Sequence, residues 1–592
     1  MSIAQELQQA VIKSLAHLYN IDVAETDFQV NQTKEEFEGD YTVVLFSLLK
    51  KTGKSPAVLG EELGSALLQS HPDLFTSFNI IKGFLNLVVA DSFWLKILND
   101  NFANVCYGLL PGNGKKVMVE YSSPNTNKPL HLGHLRNNFL GWSVAEILKS
   151  NGYEVFKSCI VNDRGIHICK SMIAWQLFGN GATPQASFQK GDHFVGDYYV
   201  KFNDEFKRQV QELVASGISV AEAEKQAPIM LATQQMLFDW EAGKPEVMEL
   251  WKTMNGWVYE GFDVTYKKIG SDFDKTYYES NTYLLGKKTV EEGLAKGLFE
   301  QEADSSVWVD LTADGLDRKI VQRKDGTSVY ITQDIGLAQQ KYQEYGIDQS
   351  IYVIGDEQNY HMKVLKLIAE KLQLPNAENI YHLSYGMVEL PTGKMKSREG
   401  TVVDADDLVD EMIATARRHT EELGKVKDFE ANELDALYNT LGLGAMKFYL
   451  LRVDPKKKMI FNPEESIDFH GFTGPFVQYT YARIKSILRK EAGNEGGPAN
   501  EGSLLKLEKE ILVALEQFTP ILVQAAKELN PSVIAIYIFN LAKTFNSFYT
   551  AHSIGNAETA EKKQLRLQLA IMTSNVLKKG MGFLGIEVPE RM

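Results

Sequence analysis

A strand, a turn, a helix and a second strand follow one another near residue 120, and this unit constrains the fold more than any other segment. Lys116–Tyr121 contains valine and tyrosine, which favour strands, and Glu154–Val161 has the same character. Between them a helix is predicted from about Gly133. It has a broad apolar face formed by Leu135, Phe139, Trp142, Ala145 and Leu148. The order predicts a βαβ unit in a parallel sheet, which binds ligands at the carboxyl ends of its strands.

The turn of this unit reads Pro-Asn-Thr-Asn-Lys-Pro-Leu-His-Leu-Gly-His over residues 124–134. Two imidazoles and free backbone N–H groups at a helix N-terminus can bind a phosphate. On these residues alone, a structural histidine pair or a metal-binding pair stays an open alternative.

Composition and charge narrow the class of protein. The chain has 592 residues, enough for several domains, and no apolar run as long as a membrane helix requires. Its three cysteines form no Cys-x-x-Cys pair and no signal peptide is visible, so we expect a cytoplasmic protein without a structural metal. The net charge is −15, but the part from His470 onward has 14 basic and 11 acidic residues. This distribution is compatible with a folded RNA ligand, although an ordinary acidic surface would also explain it.

The pattern of apolar residues predicts four parts. The first is an α+β module over residues 1–110, with a helix at Ala4–Tyr19 and strands at Tyr41–Leu49 and Phe78–Ala90. Further ranges are a catalytic body at 115–400 with an insertion at about 180–260, connecting helices at 401–434, and a helical domain at 435–592.

A second basic segment, Gly-Lys-Met-Lys-Ser-Arg-Glu-Gly over residues 393–400, is predicted to be a loop. Its cations, Lys394, Lys396 and Arg398, could close over a triphosphate, because phosphoryl transfer requires positive charge on the phosphate oxygens. Taken alone, the segment could also be a basic surface loop.

The histidine turn and this loop together resemble the two signatures of class I aminoacyl-tRNA synthetases, His-Ile-Gly-His and Lys-Met-Ser-Lys-Ser. The stretch Val119–Arg136 narrows the resemblance to arginyl-tRNA synthetases. Three more segments resemble signatures of that family: Asp325–Asp334, Tyr352–His361 and Pro475–Arg483. The resemblance implies an α/β fold, namely a Rossmann-type parallel-sheet catalytic domain with an N-terminal α+β module that touches the tRNA elbow and a C-terminal all-α anticodon-binding domain.

The resemblance also implies roles for individual residues. The catalytic residues are His131, Gly133, His134, Lys128, Lys394 and Arg398. The ATP-binding residues are Pro124, Asn125, His131, His134, Met395, Lys396 and Ser397. The arginine-binding residues are Glu120, Ser123, Asn125, Tyr330, Asp334 and Gln358. The tRNA-binding residues are Gln478, Tyr479, Tyr481 and Arg483, and Phe545, Phe548 and Tyr549 are further candidates for stacking on bases.

The chemistry of the substrate agrees with these roles. A guanidinium is planar and always charged, so a carboxylate such as Asp334 can bind it through two hydrogen bonds, with Tyr330 beside it. For each of these polar residues alone, a surface or capping role stays an open alternative. For each aromatic residue of the C-terminal helical part, packing in the core stays an open alternative.

Two places depart from the family pattern. Ser397 occupies the position of the second lysine of the loop, and we expect Lys128 to replace that lysine, with the role of Lys396 less defined. The stretch Asn162–Gly165 has Arg164 where the family more often has tryptophan, which puts local packing in question. His167 in the same region is expected to support the site rather than to act in catalysis.

The implied reaction has two steps. Arginine and ATP, with Mg²⁺, give arginyl-adenylate, and the arginyl group then passes to the 3′-terminal adenosine of arginine tRNA, with initial attack by the 2′-hydroxyl in class I. The family resemblance implies that tRNA binds before activation, and we expect a monomer. A cysteinyl enzyme would need zinc ligands, and a glutamyl enzyme would need a cationic pocket. A tRNA-binding protein without catalysis would need broken signatures.

Overall fold

The computed structural model describes residues 3–34, 36–327, 329–391, 403–422, 424, 429–491 and 503–592. An N-terminal module, a central parallel sheet with helices on its faces and a C-terminal set of helices follow one another along the chain. None of the described helices is both long enough and apolar enough to cross a membrane. The predicted domain limits stay predictions.

The N-terminal module is an antiparallel sheet with helices. Its elements are α1 (Ile3–Tyr19), β1 (Val30–Gln32), β2 (Tyr41–Val44), α2 (Leu49–Thr52), α3 (Pro56–Ser70), β3 (Phe75–Ile81), β4 (Phe84–Val89) and α4 (Asp91–Asn101). The strands lie in the order β1–β2–β4–β3.

Two predictions within this module were wrong in detail. The strand predicted to reach Leu49 ends at Val44, and Leu49 begins α2. The range Phe78–Ala90, predicted as a strand, contains the end of β3, a turn at Lys82 and Gly83 with φ of 48° and 85°, and all of β4. A two-residue turn inside a nearly continuous apolar run gives little sequence signal, because only the glycine marks it.

The remaining strands build a central sheet and two small ones. They are β5 (Lys116–Glu120), β6 (Glu154–Val161), β7 (Lys275–Tyr278), β8 (Phe299–Gln301), β9 (Val307–Val309), β10 (Lys319–Gln322), β11 (Gln349–Gly355), β12 (Ile380–Tyr385), β13 (Val388–Glu389) and β14 (Met459–Ile460). The central sheet has the order β12–β11–β5–β6–β7 and all its pairs are parallel. This arrangement confirms the predicted Rossmann-type fold. The strand order reverses between β5 and β11, which opens a crevice at their carboxyl ends.

Helices cover this sheet and form the insertion between β6 and β7. They are α5 (Leu132–Ser150), α6 (Ile166–Phe178), α7 (Gly191–Ala215), α8 (Val220–Gln226), α9 (Pro228–Glu241), α10 (Pro245–Ile269), α11 (Glu279–Thr282), α12 (Leu285–Ala295), α13 (Tyr330–Tyr345), α14 (Asn359–Lys371) and α15 (Ala405–Glu422). Short 3₁₀ helices lie at Glu25–Asp27, Thr312–Asp314, Asp356–Gln358 and Ala377–Asn379. The predicted β5–α5–β6 unit is present, and Leu135, Phe139 and Leu148 are buried on the inner face of α5.

A buried guanidinium connects the second turn of α5 to the two segments that carry β13 and β14. Arg136 donates hydrogen bonds to the carbonyl oxygens of Gly386 (2.6 Å), Met387 (3.2 Å), Pro455 (3.2 Å) and Lys457 (2.8 Å). The pair β13–β14 joins the same two segments. Burial lowers the pKa of Arg136 to about 10, so the side chain stays charged at neutral pH.

The C-terminal part is helical and returns to the N-terminal module. Its helices are α16 (Ala431–Leu451), α17 (Pro463–Ser466), α18 (Gly474–Lys490), α19 (Lys506–Glu516), α20 (Phe518–Glu528), α21 (Ser532–Ala551) and α22 (Ala560–Phe583). The buried carboxylate of Glu516 accepts hydrogen bonds from the Ile3 amide (2.8 Å) and the Tyr41 hydroxyl (2.9 Å). Asp40 forms an ion pair with Lys509 at 2.8 Å. The module therefore packs against α19.

Candidate active site

The two histidines of the turn lie at the N-terminus of α5 and contact each other. His131 is the N-cap residue, and its Nδ1 accepts from the Gly133 amide at 3.1 Å. The amide of His131 donates to Nδ1 of His134, also at 3.1 Å, and the ring centroids are 3.9 Å apart. Because backbone amides occupy both Nδ1 atoms, each neutral ring has its proton on Nε2. The pair can therefore offer two Nε2–H donors.

The environment keeps both imidazoles uncharged at neutral pH. Burial, together with the charge of Lys128, lowers the pKa of His131 to about 4. Burial also lowers the pKa of His134 well below its usual range, with smaller effects from His131 and Lys128. The positive charge beside this turn therefore comes from Lys128, which lines a cavity together with His131.

A cavity of about 540 Å³ opens at the carboxyl ends of β5 and β11. All six predicted arginine-binding residues line it: Glu120, Ser123, Asn125, Tyr330, Asp334 and Gln358. Asn125 pairs with Asn162 as an isolated bridge, and the Pro124 carbonyl accepts from the Asn162 amide at 2.9 Å. The segment that carries the histidine turn thus also forms one wall of this cavity.

Asp334 and Tyr330 lie one turn apart on α13 and face the cavity together. Oδ2 of Asp334 is 2.7 Å from Nε2 of His361, which comes from α14. Tyr330 is 65% exposed, so its ring is free to move onto a ligand. The arrangement supplies a carboxylate and a phenol at the edge of one cavity.

A buried ion pair lies at the base of this cavity. Glu120, the last residue of β5, pairs with Lys341 of α13, and both are almost fully buried. Nζ of Lys341 is also 4.7 Å from the centroid of the Tyr352 ring. Because Lys341 already compensates Glu120, this carboxylate contributes less negative charge to a ligand than the sequence suggested.

Comparison with known proteins places this geometry in a family. The sequence model of the family described as "tRNA synthetases class I (R), catalytic domain" matches residues 101–462. The chain belongs to this family. The models "DALR anticodon binding domain" and "Arginyl tRNA synthetase N terminal domain" match residues 477–592 and 3–89. Class I membership implies that this synthetase uses ATP.

Two curated relatives are similar over the whole length. One from Bacteroides fragilis (strain YCH46) is 52% identical over 599 residues, and one from Flavobacterium psychrophilum is 51% identical over 605 residues. Both are named arginine–tRNA ligase, and each match covers 100% of both chains. Among solved structures, the Thermus thermophilus arginyl-tRNA synthetase has a TM-score of 0.79 at 24% identity, and the Plasmodium falciparum enzyme has 0.77 at 19%. Both matches cover this chain completely, and they show the shared fold.

The cavity of this synthetase also contains residues that the sequence did not reveal, among them Glu279. Glu279 begins α11 directly after β7, and its side chain is buried in the wall of the cavity. Burial raises the pKa of Glu279 to about 7, against the opposing charge of Arg164, while Asp163 and Asp334 add to the rise. No motif marks Glu279, and its only sequence signal is a carboxylate immediately after a strand that ends at the crevice.

Arg164 packs where the family more often has tryptophan. Its guanidinium lies 4.0 Å from the centroid of the Tyr283 ring and 5.1 Å from that of Trp240. A guanidinium stacks on aromatic faces much as an indole does, so local packing is kept. His167 also lines the cavity, and its Nδ1 is 3.1 Å from the Tyr199 hydroxyl. Its supporting role stays a prediction.

The predicted loop residues Lys394, Met395, Lys396, Ser397 and Arg398 lie outside the residues that the structure describes. Their roles stay predictions.

The four predicted tRNA-binding residues on α18 divide into two pairs. Gln478 and Tyr481 are buried: the Gln478 amide donates to the carbonyls of Thr440 and Glu587, and the Tyr481 hydroxyl donates to Glu590. These two side chains are buried in the core, which agrees with the core-packing alternative, and their role in tRNA binding stays a prediction. Tyr479 and Arg483 are partly exposed and stack on each other at 4.8 Å, and their role stays a prediction.

The three further aromatic candidates are on α21. Phe545 and Phe548 are fully buried, which agrees with the core-packing alternative to base stacking. Tyr549 stacks on Phe545.

Proposed function

We infer that this chain is an arginine–tRNA ligase, which activates arginine with ATP and transfers the arginyl group to the 3′-terminal adenosine of arginine tRNA for translation. The full-length relatives at 52% and 51% identity support this function. The observation that carries it is the cavity at the strand ends. Asp334 and Glu279 line this cavity, and the segment with the two neutral histidines forms one of its walls.

The cavity suits a guanidinium better than an ammonium. Asp334 and Tyr330 can accept hydrogen bonds from the N–H groups of the planar guanidinium of arginine. Glu279 lies nearby and ionises more readily once a cation is bound. Lysine would leave part of this buried polar site without hydrogen bonds, which costs roughly 1–3 kcal/mol for each unpaired group. Ser123, Asn125 and Gln358 line the same cavity and are assigned to the rest of the substrate.

The first step needs no general base, because the attacking group is already an anion. A carboxylate oxygen of arginine bonds to the α-phosphorus of ATP, and the bond from that phosphorus to pyrophosphate breaks. The N-terminus of α5 and the Nε2–H groups of His131 and His134 stabilise the phosphate oxygens, and Lys128 supplies charge. Mg²⁺ is assigned to the ATP as it binds.

The second step transfers the arginyl group. A ribose hydroxyl of the terminal tRNA adenosine attacks the arginyl carbonyl carbon, and AMP leaves with the electrons of the broken C–O bond. The proton of the hydroxyl passes to a phosphate oxygen of the departing AMP. Tyr479, Arg483 and the N-terminal module are assigned to the tRNA. We propose a cytoplasmic monomer.

ATP–pyrophosphate exchange tests this function directly. We expect exchange with arginine only when arginine tRNA is present. The variant Asp334→Asn should raise the KM for arginine about 100-fold, since a hydrogen bond to a charged group contributes about 1.5–3 kcal/mol, and should leave the KM for ATP unchanged.

Asp348→Asn is a matched control, because Asp348 accepts from the Lys116 amide at the opposite end of the sheet, at 2.8 Å. Exchange with another amino acid, or none with arginine and tRNA, would contradict the proposed function. An unchanged KM for arginine in Asp334→Asn would contradict the pocket.

A further inference from the structure

Three segments of the chain meet beside His131. Residues 130–132 pair in antiparallel fashion with residues 403–405: the Ala405 amide donates to the Leu130 carbonyl at 3.0 Å, and the Leu132 amide donates to the Val403 carbonyl at 3.3 Å. His131 and Asp404 lie opposite each other in this bridge. The backbone at Asp404 therefore holds the backbone of the first histidine of the turn.

The side chain of Asp404 links this bridge to two helices. Its Oδ1 accepts from the amides of Asp406 (2.8 Å) and Asp407 (3.2 Å) at the N-terminus of α15. Its Oδ2 is 3.2 Å from Nε2 of His193, on the first turn of the insertion helix α7. One oxygen of the Asp404 carboxylate thus contacts α15, and the other contacts α7.

His193 belongs to a compact group of alternating charges. Its Nε2 is also 3.5 Å from Oδ2 of Asp406, which pairs with Lys190. Nζ of Lys190 is 3.1 Å from Oδ2 of the fully buried Asp192, and it donates to the Thr265 hydroxyl of α10 at 2.6 Å. The two carboxylates of Asp404 and Asp406 lie beside the His193 ring and raise its pKa to about 10, so it is an imidazolium at neutral pH. Two cations therefore separate three carboxylates that would otherwise repel one another.

The start of α7 also packs directly on the histidine turn. Gly196 lies so close to Pro129 that an added Cβ would be 2.9 Å from the proline Cδ. Just beyond, a cavity of about 230 Å³ separates α7 from the turn and is lined by Lys128, His131, His193 and Asp404. Beyond the contact of Gly196 with Pro129, the ion pair of His193 with Asp404 connects the insertion to the segment that pairs with the turn.

We propose that His193 is a positioning residue for adenylation, which holds Asp404 and through it the His131 turn, so that the helical insertion controls the binding of ATP. This inference rests on the proposed function, because it concerns the same ATP site. The ligand atoms of His193, Asp404 and Asp406 lie within 4.8 Å of one another, so a divalent cation is the competing interpretation. Lys190 and the imidazolium already supply positive charge there, which favours the ion-pair interpretation.

The test uses His193→Gln, Asp404→Asn and the double variant in the full-length chain, with ATP–pyrophosphate exchange in the presence of arginine and tRNA. Asparagine keeps the N-cap of α15 through its oxygen, while its NH₂ group replaces the charged oxygen that faces His193. We expect His193→Gln to raise the KM for ATP about tenfold, because interactions between contacting charged side chains typically change an equilibrium by about this factor. The KM for arginine should change less than about twofold. The double variant should be no worse than Asp404→Asn alone, and His193→Lys should restore much of the loss.

Lys268→Met is the matched control, because Lys268 pairs with Asp410 at 2.7 Å and also joins the insertion to α15, away from the histidine turn. It should keep the parent's KM for ATP. Urea unfolding of every variant checks that the fold is retained, and His193→Lys tests the inference if His193→Gln fails to fold.

Three results would overturn the inference: the parent's KM for ATP in His193→Gln, additive losses in the double variant, or one Mn²⁺ bound per parent chain without ATP and lost in His193→Gln. If the parent shows no exchange at all, the proposed function fails, and the Kd for ATP measured by calorimetry on the same variants still decides the inference.

Discussion

At the scale of single residues, burial decides which groups of the site are charged. The two histidines are neutral because burial and Lys128 oppose a second positive charge, whereas His193, a short distance away, is charged because two carboxylates face it. Glu120 has a buried cationic partner, whereas Glu279 has none so close among the residues that the structure describes. The cavity thus has one compensated carboxylate and one whose charge depends on the ligand.

The raised pKa of Glu279 predicts a pH-dependent affinity for arginine. Below about pH 7 the empty site holds a proton on Glu279, and a bound guanidinium favours its release. Affinity should therefore rise with pH, and the Kd for arginine should fall about tenfold from pH 6 to pH 8, as expected for one released proton. Calorimetry with tRNA present, in buffers of different ionisation enthalpy, measures both the Kd and the proton release.

Glu279→Gln should abolish this pH dependence and weaken arginine binding at pH 8. Glu344→Gln is a control on α13, outside the cavity. A Kd that stays constant over this pH range in the parent would show that Glu279 keeps its protonation state when arginine binds.

At the scale of elements, α5 connects the nucleotide end of the sheet to the C-terminal part. Its first turn carries the histidines, and one turn on, the Arg136 guanidinium binds four carbonyl oxygens of two other segments. Arg136→Lys keeps the charge but loses the planar fork, so carbonyl groups are left without partners. We expect a loss of about 2–4 kcal/mol in the free energy of unfolding, measured by urea titration.

Arg417→Lys is the control for this prediction. Arg417 forms an exposed pair with Asp435 at 2.8 Å, and such pairs contribute less than about 1 kcal/mol. Equal losses in both variants would mean that the four carbonyl contacts of Arg136 add nothing to stability.

The same elements show what sequence can predict. The strand predicted over Glu154–Val161 has those limits in the structure, because β-branched residues and flanking turn residues mark both ends. The cavity residues Tyr330 and Asp334 are recognisable because one helix turn separates them. Lys341 and Glu279 are not recognisable, because their environments are formed by residues distant in sequence: Glu120 of β5 for Lys341, and Arg164, Asp163 and Asp334 for Glu279. Gln478 and Tyr481 were assigned to tRNA because polar and aromatic residues on a helix do not reveal which face is buried.

At the scale of the whole molecule, the two ends of the chain support each other. The N-terminal module contacts α19 through Glu516, Lys509 and their partners, while Lys579 of α22 donates to the Tyr107 carbonyl at 2.7 Å. If both ends bind the same tRNA, as proposed, this interface sets the distance between the two contact surfaces. Buried hydrogen bonds to a carboxylate are geometrically strict, so the interface should be rigid.

Glu516→Gln tests this rigidity. The glutamine oxygen can still accept from the Ile3 amide, but its NH₂ group then replaces the oxygen that accepts from Tyr41 and from the Gln517 side-chain amide at 2.6 Å. Two N–H donors then face each other, which costs about 1–3 kcal/mol. We expect faster amide hydrogen exchange in α1 and β2 but not in β5 or β11, together with a higher KM for tRNA and an unchanged KM for ATP. Glu510→Gln on the same helix, where Glu510 has only a distant pair with Lys506 at 3.9 Å, should behave like the parent. Exchange that accelerates equally throughout the chain would show that Glu516 supports global stability instead of fixing the module.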